Sequence, residues 1–316
     1  MSNLTVLNYN ISELSKQELS DLGKALSSVE RLKILELIEM NKEISIVKLS
    51  ELSNIAVSSV AFHVQMLEKS NLIHTITKPG KHGSLRLCIP VVKVINIDLF
   101  NREKNDNYNT FTYNIPIGSY SDVYAVPKPT CGLASETEIL EQADNPSSFF
   151  SPRKMEAQII WMSHGYLVYK MPNYFLDGNT PVEISYSMEI CSEAPFFNCN
   201  FKSDITFWIN DVEVCTYTSP GDFGNRKGLF TPSWWNKELT QYGLLVTIKV
   251  TKDGVFINDA VMNDKYKIDD LNLQKPPFIS FKIGVKNDAI NKGGFNIFGE
   301  KFGDYPQNII MKVKCL

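Results

Sequence analysis

Between residues 16 and 41 apolar side chains recur at steps of three and four: Leu19, Leu22 and Leu26, then Leu32, Leu35 and Ile38. That spacing predicts two helices, each with one face turned inward. Ser28 stands at the start of the second, where a serine hydroxyl can accept from open backbone amides. A shorter repeat follows. Val47, Leu49 and Leu52 mark a two-turn helix with all three inward, Asn54-Ile55-Ala56 a tight link, and Val60, Val64 and Leu67 the inner face of a longer helix. Two helices joined so closely have helix-turn-helix geometry. Behind them, "HTITKPGKHGSLRLC" holds two β-type runs around Pro79-Gly80-Lys81-His82-Gly83, the pattern of a hairpin. Helix-turn-helix plus hairpin predicts a winged helix.

From Ala157 onward the period changes to two. Ile205-Phe207-Ile209 and Phe278-Ser280-Lys282 alternate with their neighbours, so each strand has one buried and one wet face. Asn210-Asp211, Lys252-Asp253-Gly254 and Asn287-Asp288 fall between such runs, as hairpin turns do. Many short strands at this spacing predict an antiparallel, jelly-roll-like β-sandwich. Helix–strand alternation is missing, which argues against a Rossmann or periplasmic-binding-protein-like module. The expected fold class is α+β, with a winged helix-turn-helix at residues 1–95, a linker at 96–112 rich in Asn and charge, and a mainly antiparallel β-sandwich at 113–316. Pro116, Pro127, Pro129, Pro146 and Pro152 limit the stretch after the linker to short strands and loops.

Charge sharpens the first half. The 316 residues carry a net charge of −3, but residues 56–95 hold five basic side chains against one acidic. A local basic patch on an acidic chain is the footprint of a small nucleic-acid contact. The second helix of the pair is expected to offer Ser58, Ser59, His63 and Gln65 to base edges. Lys69, Lys78, Lys81, His82 and Arg86 are expected to meet the DNA backbone. The six cysteines are scattered without a Cys-x-x-Cys pair, which suits reduced, mostly buried thiols. The start of the chain has no secretory signal pattern, and no segment reaches about 18 uncharged apolar residues, so a cytoplasmic protein without membrane contact is expected.

The run "ALSSVERLKILELI…VKLSELSNIAVSSVAFHVQMLEKSNLI", continuing through the hairpin, resembles the ArsR-type winged-helix repressors over residues 14–92. It shares their "ALxxxxRLxIL" helix, "xELS" helix and recognition helix ending in "LExxxLI". The recognition helix departs from the family at Ala61-Phe62-His63-Val64-Gln65, so no operator sequence carries over. Metal-sensing members carry paired cysteines on the helix before the turn. Here that stretch is "ISIVKLSELS", and the four histidines lie far apart, so no metal site and no cofactor are expected. "SPGDFGNRKGLFTPSWW" and "GGFNIFGEKFGDYPQNI" look like a C-terminal β-sandwich found in a subset of these regulators.

The segment 219–239 carries Trp234 and Trp235 side by side. It lacks the Gly-Lys-Ser/Thr ending of a phosphate loop. Two readings stay open. Asp222, Arg226, Trp234 and Trp235 can line a pocket for a small molecule, a neutral saccharide by their chemistry, or the tryptophans can plug the sandwich while Asp222 and Arg226 brace the loop as an ion pair. No nucleophile elbow or His-Glu-x-x-His motif is present, so catalysis, a carbohydrate-active enzyme included, is the weakest class. The expected protein is a homodimeric transcription regulator, a repressor, on a palindromic double-stranded operator. Its sandwich senses a small molecule or, in the alternative, holds a protein partner or serves as a structural cap. Helix 16–26 is the expected dimer seam.

Overall fold

A computed structural model describes residues 5–10, 16–80, 83–98, 108–125 and 130–316. The chain divides into two compact units, residues 1–106 and 107–316. The class is α+β: a winged helix-turn-helix precedes a large, mostly antiparallel β domain.

The first unit runs β1 (Thr5–Asn10), α1 (Lys16–Leu26), α2 (Val29–Asn41), β2 (Ile44–Ser45), α3 (Ile46–Ser53), α4 (Val57–Lys69), β3 (Ile73–Gly80), β4 (Gly83–Pro90) and β5 (Val92–Asp98). Ser28 caps α2 by accepting from the Arg31 amide, as its position predicts. Ser45 caps α3 in the same way, and Asn54 ends it in the left-handed region at φ 58°, which sets the sharp turn into α4. Strands β3 and β4 form the wing and β2 pairs with β4, while β1 runs parallel to β5. Val60, Val64 and Leu67 are fully buried against Leu22, Ile34, Ile38 and Leu49. The expected inner face of α3 is corrected: Leu49 is buried, but Val47 and Leu52 are about half exposed. A two-turn helix on the domain surface turns one apolar side chain fully inward, and a three-residue pattern cannot fix which.

The second unit opens with β6 (Asn109–Ile115), β7 (Asp122–Tyr124), β8 (Cys131–Ala134) and β9 (Ile139–Leu140). β10 (Ile159–Met162), β11 (Gly165–Pro172), β12 (Pro181–Cys191), β13 (Ser203–Ile209) and β14 (Val212–Ser219) follow. It closes with β15 (Leu244–Thr251), β16 (Gly254–Ile257), β17 (Ala260–Asn263), β18 (Phe278–Val285), β19 (Phe295–Phe298) and β20 (Ile309–Cys315). Regular structure therefore enters the stretch 96–112 from both sides, as β5 and as β6.

Strands β14-β13-β18-β11-β7 make one sheet, and the rest make a ten-stranded sheet around β12. The long β12 pairs with β15 along one edge, and on the other first with β20 and then with β19. The two sheets share one core, in which Tyr186 of β12 stacks on Phe281 of β18 at 4.0 Å. Asn210 and Asp211, both at positive φ, turn β13 into β14 as expected. Asn287-Asp288 is not a hairpin turn, because β18 and β19 belong to different sheets and this segment crosses between them.

The ten-stranded sheet has an occupied outer face. Register places Glu189, Phe298, Ile159 and Ala134 in one row and Cys191, Asn296, Trp161 and Gly132 in the next. Their chain neighbours Ile190, Ile297, Ile160 and Leu133 point into the main core. Trp235 and Phe302, from the long connections after β14 and β19, close over this outer surface as a second apolar cluster.

Candidate functional sites

Two regions concentrate chemistry, one in each unit. In the first, α4 exposes Ser58, Ser59, Phe62, Gln65 and Lys69. With about 100° of rotation per residue, Ser58, Phe62, Gln65 and Lys69 lie opposite the buried Val60, Val64 and Leu67. Ser59 sits to one side of that row. His63 falls on the flank facing α2. Its Nδ1 lies 3.5 Å from Nη1 of Arg31, and burial, then Arg31, hold its pKa below the usual imidazole value. It is a flank residue, turned away from the outward row.

The expected phosphate contacts meet a finding the sequence did not show, because three of the cations are already paired. Lys69 bonds Asp21 of α1 at 2.8 Å, Lys78 bonds Glu43 at 2.6 Å, and Arg86 bonds Glu68 at 2.6 Å. Glu68 also accepts from the Thr75 amide and hydroxyl, which pins the base of the wing to the end of α4. Exposed pairs of this kind contribute only about 0.2–1 kcal/mol each, so a phosphate can take Lys78 from Glu43 at small cost. Lys81 and His82 lie outside the described residues. Phe62, more than half exposed at the centre of the outward face, is not among the contacts expected from the sequence, because those were chosen for their polar or charged side chains.

In the second unit the segment after β14 folds over the outer sheet face. Trp235 is 8% exposed, donates its indole N–H to the Thr240 carbonyl, and packs edge-on to Trp161 and Phe302. Trp234 is 39% exposed and donates to the Glu136 carbonyl. The Asp222–Arg226 ion pair of the bracing reading is absent. Asp222 is fully buried, and its Oδ2 accepts from the Ala194 amide and the Thr240 hydroxyl. Arg226 instead grips Asp304, Nη1 to Oδ1 at 3.0 Å and Nη2 to Oδ2 at 2.5 Å, and lies 3.7 Å over the ring of Tyr242. Closeness in sequence suggested the wrong partner.

Asp304 is itself held from below. Glu189, fully buried on the outer sheet face, accepts backbone N–H bonds from Gly243, Asp304 and Tyr305. Burial pushes its pKa up to about 8 against those three donors. Gly303, at φ +78°, lets the loop lie directly on this carboxyl, since a Cβ there would stand 2.4 Å from Glu189 Oε1. A rigid line thus runs from Glu189 through the Asp304 backbone to the Arg226 guanidinium.

Beside Arg226 the surface sinks into a half-open hollow of ≈ 310 Å³, lined by Asn225, Arg226, Lys227, Trp235, Lys237 and Gln241 among others. Of the four residues expected to bind a ligand, Arg226 and Trp235 line it; Asp222 is buried beneath the segment and Trp234 lies outside the wall. Trp235 therefore belongs both to the apolar cluster on the outer sheet face and to the lining of the hollow. Among the described residues no group of three or more His, Cys, Asp or Glu is placed to hold a metal ion, and no helix is long and apolar enough to cross a membrane. All six cysteines are described; Cys199 is partly exposed and the other five are buried.

Residues 31–74 match a family model of winged helix-turn-helix DNA-binding domains. That span covers α2 from Arg31 onward, all of α3 and α4, and the first two residues of β3. No curated protein matches the chain. The match and the fold together make the chain a DNA-binding transcription regulator.

Proposed function

We propose that this regulator is a repressor that binds a palindromic operator as a homodimer and releases it when an anionic, polyhydroxylated small molecule, such as a sugar acid or sugar phosphate, enters the hollow beside Arg226. The observation that carries the sensing half is the fixed guanidinium. Arg226 is oriented by Asp304 and Tyr242, with Lys227 and Lys237 on the same rim and Trp235 in the lining. A fixed guanidinium with two lysines on the same rim, and the Asn225 amide beside it, suits an acid group on a sugar better than a neutral saccharide. The volume lies at the low end of the roughly 300–1,000 Å³ of small-molecule sites.

Support for the dimer comes from the outward side of α2. Ile34 and Ile38 face the core, whereas Val29, Leu32 and Met40 are exposed on the opposite side, with Lys33 and Glu36 among them, and a second copy would cover these apolar residues together with α1. Two-fold pairing places two recognition helices about one DNA turn apart. An effector acts only through different affinity for the DNA-binding and released forms.

The test is a gel shift of the full chain on its gene's upstream DNA, with sugar acids and sugar phosphates titrated in. Retardation relieved by one of them is expected, with Arg226→Ala still binding DNA but no longer answering the effector. Relief that persists unchanged in Arg226→Ala would move the sensing site elsewhere.

A further inference from the structure

The recognition helix carries one side chain that hydrogen-bond chemistry does not account for. Phe62 is 57% exposed and stands midway along the outward face of α4, one turn after Ser58 and three residues before Gln65, both exposed. Residues three or four apart on a helix lie about 5–6 Å from one another at Cβ, so whatever Ser58 and Gln65 touch, Phe62 touches between them. A single exposed apolar residue needs no explanation on an ordinary surface. Here the surface is the one that a winged helix sets into the major groove. In that groove thymine presents the C5 methyl, the apolar feature that sets it apart among the base edges, and apolar side chains read it.

We infer that Phe62 packs on the 5-methyl group of a thymine in each operator half-site, one or two base pairs from the positions that Ser58 and Gln65 contact. The inference rests on the DNA-binding reading of this unit and adds base selection to it. A ring with no polar atom also discriminates negatively. Placed against a cytosine amino group or a guanine carbonyl, it would leave that polar group without water or partner. His63, turned to the flank and hydrogen-bonded toward Arg31, takes no share in this reading.

The experiment is fluorescence anisotropy of the full chain on its footprinted operator, with each thymine of the half-site replaced in turn by uracil, which removes the methyl and nothing else. At one position per half-site the wild type should lose about fourfold in affinity, which corresponds to one buried methyl at roughly 0.8 kcal/mol. Phe62→Ala should bind the thymine and uracil duplexes equally there, and Phe62→Leu should restore part of the difference. Because the side chain is exposed, both variants should melt with the wild type. Specific binding with no thymine–uracil difference at any position overturns the inference and leaves the DNA-binding reading intact. A difference that survives in Phe62→Ala assigns the methyl to another residue and overturns it as well. Failure to bind any upstream DNA specifically sinks the DNA-binding reading itself.

Discussion

The guanidinium of Arg226 lies 3.7 Å over the ring of Tyr242 while both its terminal nitrogens bond the carboxylate of Asp304, 78 residues further on. A planar fork can stack and chelate at once, and an ammonium cannot. Arg226→Lys should therefore lose the effector response while DNA binding stays. Because half of the arginine side chain is exposed, the melting temperature should fall by the equivalent of no more than about 1 kcal/mol. Thermal melts and effector-titrated gel shifts of the same preparation check both statements. A large loss of stability would mean that the contact chiefly holds the fold.

The pairing of Lys78 with Glu43 makes a prediction with an unusual sign. Glu43→Gln leaves the wing cation without its competitor, so nonspecific DNA affinity at low salt should rise, whereas Lys78→Ala should lower it. Each phosphate contact contributes about 0.9 to the slope of log affinity against log salt on duplex DNA, so Lys78→Ala should flatten that slope by about one. Unchanged slopes in both variants would place Lys78 away from the phosphates.

The period of apolar residues was enough to find the winged helix and the inner face of α4, because Val60, Val64 and Leu67 repeat at helical steps and pack against other helices that do the same. It did not give the phase of α3, where Val47 and Leu52 point outward. In the β domain, Asn210-Asp211 was legible because left-handed turn residues act locally. Asn287-Asp288 has similar chemistry, yet it joins different sheets, which only tertiary pairing decides. The candidate site was half legible for the same reason. Arg226 and Trp235 stand out as residue types, but the partners that make a site of them, Asp304 and the buried Glu189, lie 78 and 37 residues away along the chain.

Trp234 and Trp235 look alike in the sequence and should behave very differently. Trp235 is buried between Trp161 and Phe302, so Trp235→Ala opens a cavity and should cost about 3–5 kcal/mol in denaturant unfolding. Trp234→Ala removes a partly exposed ring and one hydrogen bond to the Glu136 carbonyl, at a cost of about 1 kcal/mol. Similar losses would show that the segment over the outer sheet face is held by both rings equally. Effector quenching of tryptophan fluorescence should persist in Trp234→Ala, since Trp235 is the tryptophan that lines the hollow.

Asp222 ties stability to pH. Burial raises its pKa from 3.8 to about 7, against the Ala194 amide and the Thr240 hydroxyl, both of which donate to Oδ2. Its Oδ1 has no hydrogen-bond partner among the described residues, which leaves that oxygen to carry the proton. The folded chain therefore binds a proton that the unfolded chain has released over this interval. The stability so conferred is complete below pH 3.8 and is lost as the pH rises through about 7. Asp222→Asn keeps an acceptor for both donors and removes the titration. Its buried amide adds a penalty that does not vary with pH, so the absolute melting temperature should drop while its decline between pH 5 and 8 becomes shallower than in the wild type. Some decline should remain, because Glu189 titrates in the same direction at about 8. Parallel melting curves for the two proteins across that range would show that Asp222 is already ionised in the folded chain.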